Sequence, residues 1–249
     1  MKTRNQKNNQ GFSRIYSVRA IALALSLILS AAGATSASAL DACATDPHDF
    51  YCSIDIPKSY QVVVNKIRPL NPLNFAPKDL KVVPKYNPYG LRTRKTVSAA
   101  LVSLGNAMKS AGKGTLVIQS AYRSYKTQVS VHSRQVKTYG LKKGENLAAR
   151  PGFSEHQTGM AVDVAGYRQG CSIQVCFSKT KAGKWLAANS YKYGFVLRYP
   201  SGKTSITGYQ FEPWHFRFVG VDLATKMHDR GTPTLETYFG LTSAPNYLN

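Results

Sequence analysis

Acidic side chains are scarce in this sequence of 249 residues: 12 Asp and Glu stand against 33 Lys and Arg, giving a formal charge of +21. Between Lys81 and Arg150 a single acid, Glu145, faces 14 basic residues. Cysteine is sparse too, with four in the chain; a chain this long buries roughly 70% of its unfolded surface and does not need cross-links to fold. There is no internal repeat or low-complexity tract, and 43% of residues are apolar, which excludes a disordered chain. Only one long stretch lacks charge, Ala20 to Leu40, which excludes a polytopic membrane protein. No H-E-x-x-H sequence occurs, so any metal ligands must come from separate segments rather than one helix face.

What is present first concerns destination. Residues 1–19 carry Lys2, Arg4, Lys7, Arg14 and Arg19, the uncharged run follows, and it ends in Ala37-Ser38-Ala39. This pattern predicts an export signal over 1–39, cleaved after Ala39; an uncleaved anchor is the rival, disfavoured by the serines, glycine and threonine within the run. Cleavage leaves 210 residues and a charge of +16. A secreted protein of this charge is expected to meet anionic wall polymers, lipid headgroups or polysaccharides rather than nucleic acid, and the basic residues are not gathered with aromatics on one face as a nucleic-acid binder would need. Cys43, Cys52, Cys171 and Cys176 all lie in the exported part, where disulfides persist. Three pairings are open; the two local ones would clip short loops, for about 2 to 3 kcal/mol each. A four-thiolate zinc site does not suit their spacing.

Residues 40–90, with Cys43, Cys52 and a Pro-rich stretch from Asn71 to Tyr89, are expected as an extended arm ahead of a compact domain, 91–249, whose core begins near Leu91. Val97, Leu101, Leu104 and Met108 recur at helical spacing. Thr115–Ser120 reads as a strand. Tyr125, Val129, His132, Val136 and Tyr139 predict a second helix with these side chains on one face, capped by Ser124 and ended by Gly140. Met160–Val164 and Phe211–Val219 alternate as strands do, with Trp214, Phe216 and Phe218 on one face and His215 and Arg217 on the other. Short helices over Asp222–Arg230 and Thr234–Phe239 close the chain. The order predicts an α+β fold, a small and mostly antiparallel sheet flanked by helices.

In so acid-poor a chain, an acid inside an apolar segment needs a reason. Asp163 is one, seven residues after His156 with Gly159 between them; Glu212 is another, three before His215. Two imidazoles and two carboxylates at strand starts meet the requirements of an open zinc site: three N/O ligands, here His156, Asp163 and His215, and an unligated carboxylate to take a proton. Taken singly each residue has an ordinary structural reading; taken together they form a coherent set. His132 reads as a core residue, and His228 sits in a last helical turn, where a cation suits the dipole.

Three segments carry a family likeness. Ser154-Glu-His156-Gln-Thr-Gly159-Met-Ala161-Val-Asp163, Glu212-Pro-Trp-His215-Phe-Arg-Phe-Val-Gly220 and Ser120-Ala-Tyr122-Arg123-Ser124 resemble the motifs of VanY-type zinc D-alanyl-D-alanine carboxypeptidases, of the LAS-type peptidoglycan peptidases. The likeness runs over roughly residues 60–222. Ala121 stands where Gly is frequent and Phe218 where Tyr is frequent. The resemblance implies Zn2+ held by His156, Asp163 and His215, Glu212 as general base and acid, and Arg123 on the substrate. Ser154, Gln128, Tyr122 and Trp214 are expected to line or support the substrate site, with floor packing equally open for Trp214. The implied substrate is a peptidoglycan stem peptide, the implied reaction release of its terminal D-alanine by a monomer. An L,D-carboxypeptidase or wall endopeptidase on the same scaffold is the nearest rival, and a non-catalytic wall-binding protein the next.

Overall fold

The computed structural model describes residues 54–248; the expected export signal and Cys43 and Cys52 lie outside them. The elements in order are β1 (Leu80–Val82), β2 (Arg92–Arg94), α1 (Lys95–Ser110), β3 (Leu116–Ser120), α2 (Tyr125–Tyr139) and α3 (Leu141–Leu147), then a 3-10 turn at Glu155–Thr158 and β4 (Ala161–Gly166). After them come α4 (Lys181–Asn189), β5 (Phe195–Leu197), α5 (Thr204–Thr207), β6 (His215–Phe218), α6 (Val221–Asp229) and α7 (Leu235–Tyr238). β1 and β2 form a hairpin, and the main sheet has the order β3-β4-β6-β5 with every pair antiparallel. This is the expected α+β arrangement. Among the described residues no helix is long and apolar enough to cross a membrane.

The stripe of α1 is as its spacing predicts: Val97, Leu101, Leu104 and Met108 are buried. They pack with one face of the sheet. Ile118 lies opposite Val164, and Val162 opposite Phe216, and side chains opposite one another across antiparallel strands share a face. That face, with Phe177, Ala182 and Leu186, makes the main core. The alternate residues occupy the other face, where Asp163 lies opposite His215 and Ala161 opposite Arg217. The strand period of two thus puts an aromatic floor beneath a polar layer.

Two expectations need correction. The core does not begin near Leu91: Val62, Val64, Leu70 and Val83, within the expected arm, join the same cluster, so residues 62–83 wrap the domain rather than precede it. Helix α2 begins on a Ser124 cap, whose hydroxyl accepts from Thr127 N at 3.2 Å, but its apolar spacing does not mark a buried face. Val129 and Tyr139 are exposed, His132 is only part-buried, and Gln128 is the fully buried residue. The helix is peripheral, pairing mainly with α3, so little apolar surface is available for its stripe to cover. Of the cysteines within the described residues, Cys171 and Cys176 form the local disulfide.

Candidate metal centre

The site is assembled where β4 and β6 run side by side. His156 stands in the 3-10 turn Glu155–Thr158, and Gly159 ends that turn in the left-handed region at φ 70°. A side chain there would meet Arg94, Leu80 and Pro77 at 3.1 to 3.2 Å, so the backbone favours glycine and the packing is tight against any larger residue. The turn returns the chain into β4, which carries Asp163. At the other end, His215 N donates to Glu212 O at 3.1 Å, a turn that folds the Glu212 carboxylate back toward the imidazole it precedes.

The three expected ligands converge. His156 Nε2 lies 3.3 Å from Asp163 Oδ2, and His215 Nδ1 lies 3.1 Å from Asp163 Oδ1. One ligand atom from each of the three falls within 4.8 Å of the others, and all three residues are buried. The rings of His156 and His215 stand 5.0 Å apart, nearly perpendicular. His156 Nδ1 is 2.7 Å from the carbonyl of Ala121, which can only accept; the proton is therefore on Nδ1 and the Nε2 lone pair faces the trio. Alanine at 121 is harmless to this contact because the backbone makes it. Two nitrogens and one carboxylate oxygen at this separation suit a divalent ion such as zinc.

Glu212 Oε2 sits 3.7 Å from His215 Nδ1, beside the trio. Burial pushes its carboxyl up to about 8, with Asp163 adding to the rise and His215 opposing it. Burial opposes protonation of His215 as well, yet the carboxylates of Asp163 and Glu155, one beside each ring nitrogen, raise it to about 9. Asp163 moves the other way: burial is outweighed by the two histidines, which hold it well below the usual carboxylate range. These opposed shifts mark a cluster whose protons stand where a cation would bind.

Arg123 is carried by the segment after β3. Its guanidinium donates to Gln128 Oε1 at 2.9 Å and Ser120 Oγ at 3.1 Å, both neutral. Burial lowers its pKa, partly offset by Asp163 and Glu212, and no ion pair within 4 Å neutralises it among the described residues. A cation held by neutral groups beside two carboxylates is suited to an incoming carbonyl or carboxylate.

Other expected substrate contacts fall differently. Gln128 is fully buried and uses both ends of its amide, one accepting from Arg123 and the other donating to Ala149 O at 2.7 Å; it holds Arg123 in place. Trp214 is packed in the main core, as the floor reading expects. Ser154 is buried at the start of the 3-10 turn, where its hydroxyl does not cap the turn. Tyr122 stays half-buried beside Arg123. Phe218 packs edge-on against the rings of Tyr60 and Phe195 at 5.3 and 5.2 Å.

Sequence reasoning missed a second buried charge cluster directly behind His215. Glu155, Arg198, Arg217 and Glu236 are all buried. Glu155 Oε1 accepts from Arg198 Nε at 2.8 Å and Arg217 Nη1 at 2.7 Å, and Arg198 donates its other two nitrogens to Glu236 at 2.9 and 2.7 Å. A signal existed: alternation puts Arg217 on an inner face between aromatic neighbours, and a buried guanidinium requires a buried acid.

Comparison with known proteins agrees with this geometry. A family model described as VanY, D-alanyl-D-alanine carboxypeptidase, matches residues 90–221. The Bacillus subtilis (strain 168) protein YodJ is 37% identical over 198 residues, 75% of this chain and 69% of its own. Among solved structures, the LdcB LD-carboxypeptidase superposes with a TM-score of 0.69 at 37% identity, covering 75% of this chain and 88% of that one. A variant of the vancomycin resistance D,D-pentapeptidase VanY, in complex with Zn(II), gives 0.61 at 31% identity over 72% of this chain and 98% of that one. With the motifs, the converging trio and these matches in agreement, the chain belongs to the VanY family of D-alanyl-D-alanine carboxypeptidases.

Proposed function

We propose that the protein is a zinc-dependent D,D-carboxypeptidase that hydrolyses the last peptide bond of a peptidoglycan stem and releases D-alanine. The observation that carries this is the buried His156, Asp163 and His215 trio with Glu212 at its edge and Arg123 un-neutralised beside it. Zinc held by the trio supplies Lewis acidity toward the scissile carbonyl and lowers the pKa of water toward about 7. Glu212 takes the proton from the attacking water and delivers it to the departing amine. Its pKa of about 8 in the metal-free site falls when a cation sits next to it, which favours the ionised base. Arg123, fixed by Gln128 and Ser120, binds the oxygen on which negative charge develops; Tyr122 and Ser154 border the substrate.

Export by the leader and a basic surface facing anionic wall polymers complete the reading. The test is to incubate the mature protein with a stem pentapeptide ending in D-Ala-D-Ala and measure free D-alanine, with and without a chelator. Release that chelation abolishes is the expected result; release that survives it contradicts the zinc mechanism. The TM-score of 0.69 with an LD-carboxypeptidase favours a second reading, cleavage of an L,D bond. A tetrapeptide stem in the same assay separates the two, since only the L,D activity releases D-alanine from it.

A further inference from the structure

The two ring nitrogens of His215 face different neighbourhoods. Nδ1 looks into the trio, 3.1 Å from Asp163 Oδ1. Nε2 looks the other way and lies 3.5 Å from Glu155 Oε2. Both of these atoms are buried, and neither has a hydrogen-bond partner, although buried polar atoms are nearly always paired. Glu155 needs only Oε1 for its two arginines; an ion cluster that served packing alone leaves the placement of Oε2 without a reason.

We infer that Glu155 is a positioning residue for the metal centre: Oε2 accepts the Nε2–H of His215, leaving the Nδ1 lone pair directed at the trio. The inference rests on the reading of His156, Asp163 and His215 as a zinc site. A neutral imidazole carries one N–H, and a carboxylate clamped by two guanidiniums can only accept. A movement of a few tenths of an ångström turns 3.5 Å into an ordinary hydrogen bond. His156 is fixed in the mirrored way, Nδ1–H to the Ala121 carbonyl and Nε2 to the trio. Each ligand histidine thus has its own rigid acceptor, and a carboxylate acceptor also raises ligand basicity.

The rigidity of Glu155 comes from far along the chain. Arg217 Nη2 donates to Tyr60 O at 3.1 Å and Val62 O at 2.7 Å. Arg198 is held by Glu236 of α7, whose Oε1 also accepts from Asn65 at 3.0 Å. Residues 60–65 and the closing helix therefore anchor the two arginines that clamp Glu155.

The decisive test is an NMR measurement of the imidazole protonation in the zinc-loaded, 15N-labelled protein. His215 is expected as the Nε2–H tautomer with its proton shifted downfield, and His156 as the Nδ1–H tautomer. In parallel, zinc affinity is measured by competition with a chromophoric chelator, at a temperature where near-ultraviolet circular dichroism shows each variant folded. Glu155→Gln replaces one acceptor oxygen by a donor and is expected to weaken zinc binding roughly 10- to 100-fold. Glu236→Gln, one contact further out, is expected to lower the melting temperature while leaving zinc affinity within about 3-fold of wild type. Protonation of His215 on Nδ1, or unchanged affinity in folded Glu155→Gln, would overturn the inference. Should Glu155→Gln fail to fold, the wild-type tautomer still decides. A wild-type protein that binds no zinc at all would instead overturn the metal-site reading, and this inference with it.

Discussion

His215 separates two buried charge clusters that differ in how they are neutralised. Behind it, Arg198 and Arg217 balance Glu155 and Glu236, and the guanidinium donors reach carboxylates or backbone carbonyls. In front of it, Asp163 and Glu212 face one guanidinium, Arg123, which binds neutral groups instead. The first cluster is complete within the chain and serves as scaffold. The second reaches neutrality only by taking up protons or a cation, and that incompleteness is what suits it to a metal and to a substrate. Buried charge alone does not distinguish a site from a scaffold; the lack of internal compensation does.

The largest expected effect separates chemistry from binding at the incomplete cluster. Glu212→Gln should lower kcat by roughly 10²- to 10⁴-fold, the usual contribution of general acid–base groups, with zinc content unchanged; a loss of zinc would place Glu212 among the ligands. At the complete cluster, Arg198→Ala leaves Glu155 and Glu236 under-paired in the interior and should cost about 3 to 5 kcal/mol. For a domain of this size that is a fall in Tm on the order of 10 °C, measured by calorimetry. A variant near wild-type stability would show that the network is not the scaffold described.

Glu155 and Glu236 of the complete cluster should also titrate with the opposite sign to Glu212 and His215 of the incomplete one. Burial is outweighed by Arg198 and Arg217 at Glu155, and by Arg198 at Glu236, so both carboxyls lie below their ordinary value near 4.5. The unfolded chain binds these protons first, so this stabilisation is present above about pH 4.5 and is lost as the pH falls further. The slope is up to roughly 1.4 kcal/mol per pH unit for each carboxyl. In the metal-free protein Glu212 and His215 are shifted upward, to about 8 and about 9, so the native state holds extra protons and loses stability as the pH rises toward 9. Thermal melts from pH 3 to 9 should show both limbs after chelation, and saturating zinc should remove only the alkaline one. The smallest effect is local: Thr234 caps α7 by accepting from Thr237 N at 3.1 Å, and Thr234→Ala should cost about 1 kcal/mol without altering zinc affinity.

The same contrast explains what was readable in the sequence. His156, Asp163, Glu212 and His215 stand out because their spacing is local and acids are few; each pair is set by a short turn. Glu155 sits next to His156 in the same motif, but its partners Arg198 and Arg217 are 43 and 62 residues further along and Glu236, which holds Arg198, is 81 along, and no local period links them. The stripe of α1 was legible because it faces a sheet, whereas in α2 the spacing of Val129 and Tyr139 promised burial that a peripheral helix does not supply. Residues 62–83 looked like an arm because prolines break their periodicity, yet Val62, Val64, Leu70 and Val83 pack in the core.

The central claim is that His156, Asp163 and His215 are a metal site built on a self-sufficient scaffold. Zinc titration of the chelator-treated protein by calorimetry, repeated on His156→Ala and Asp163→Ala, tests it most directly. One zinc per chain, with binding lost or severely weakened in both folded variants, is the expected result. Absence of zinc binding in the wild type, or binding that persists unchanged in the variants, would contradict it.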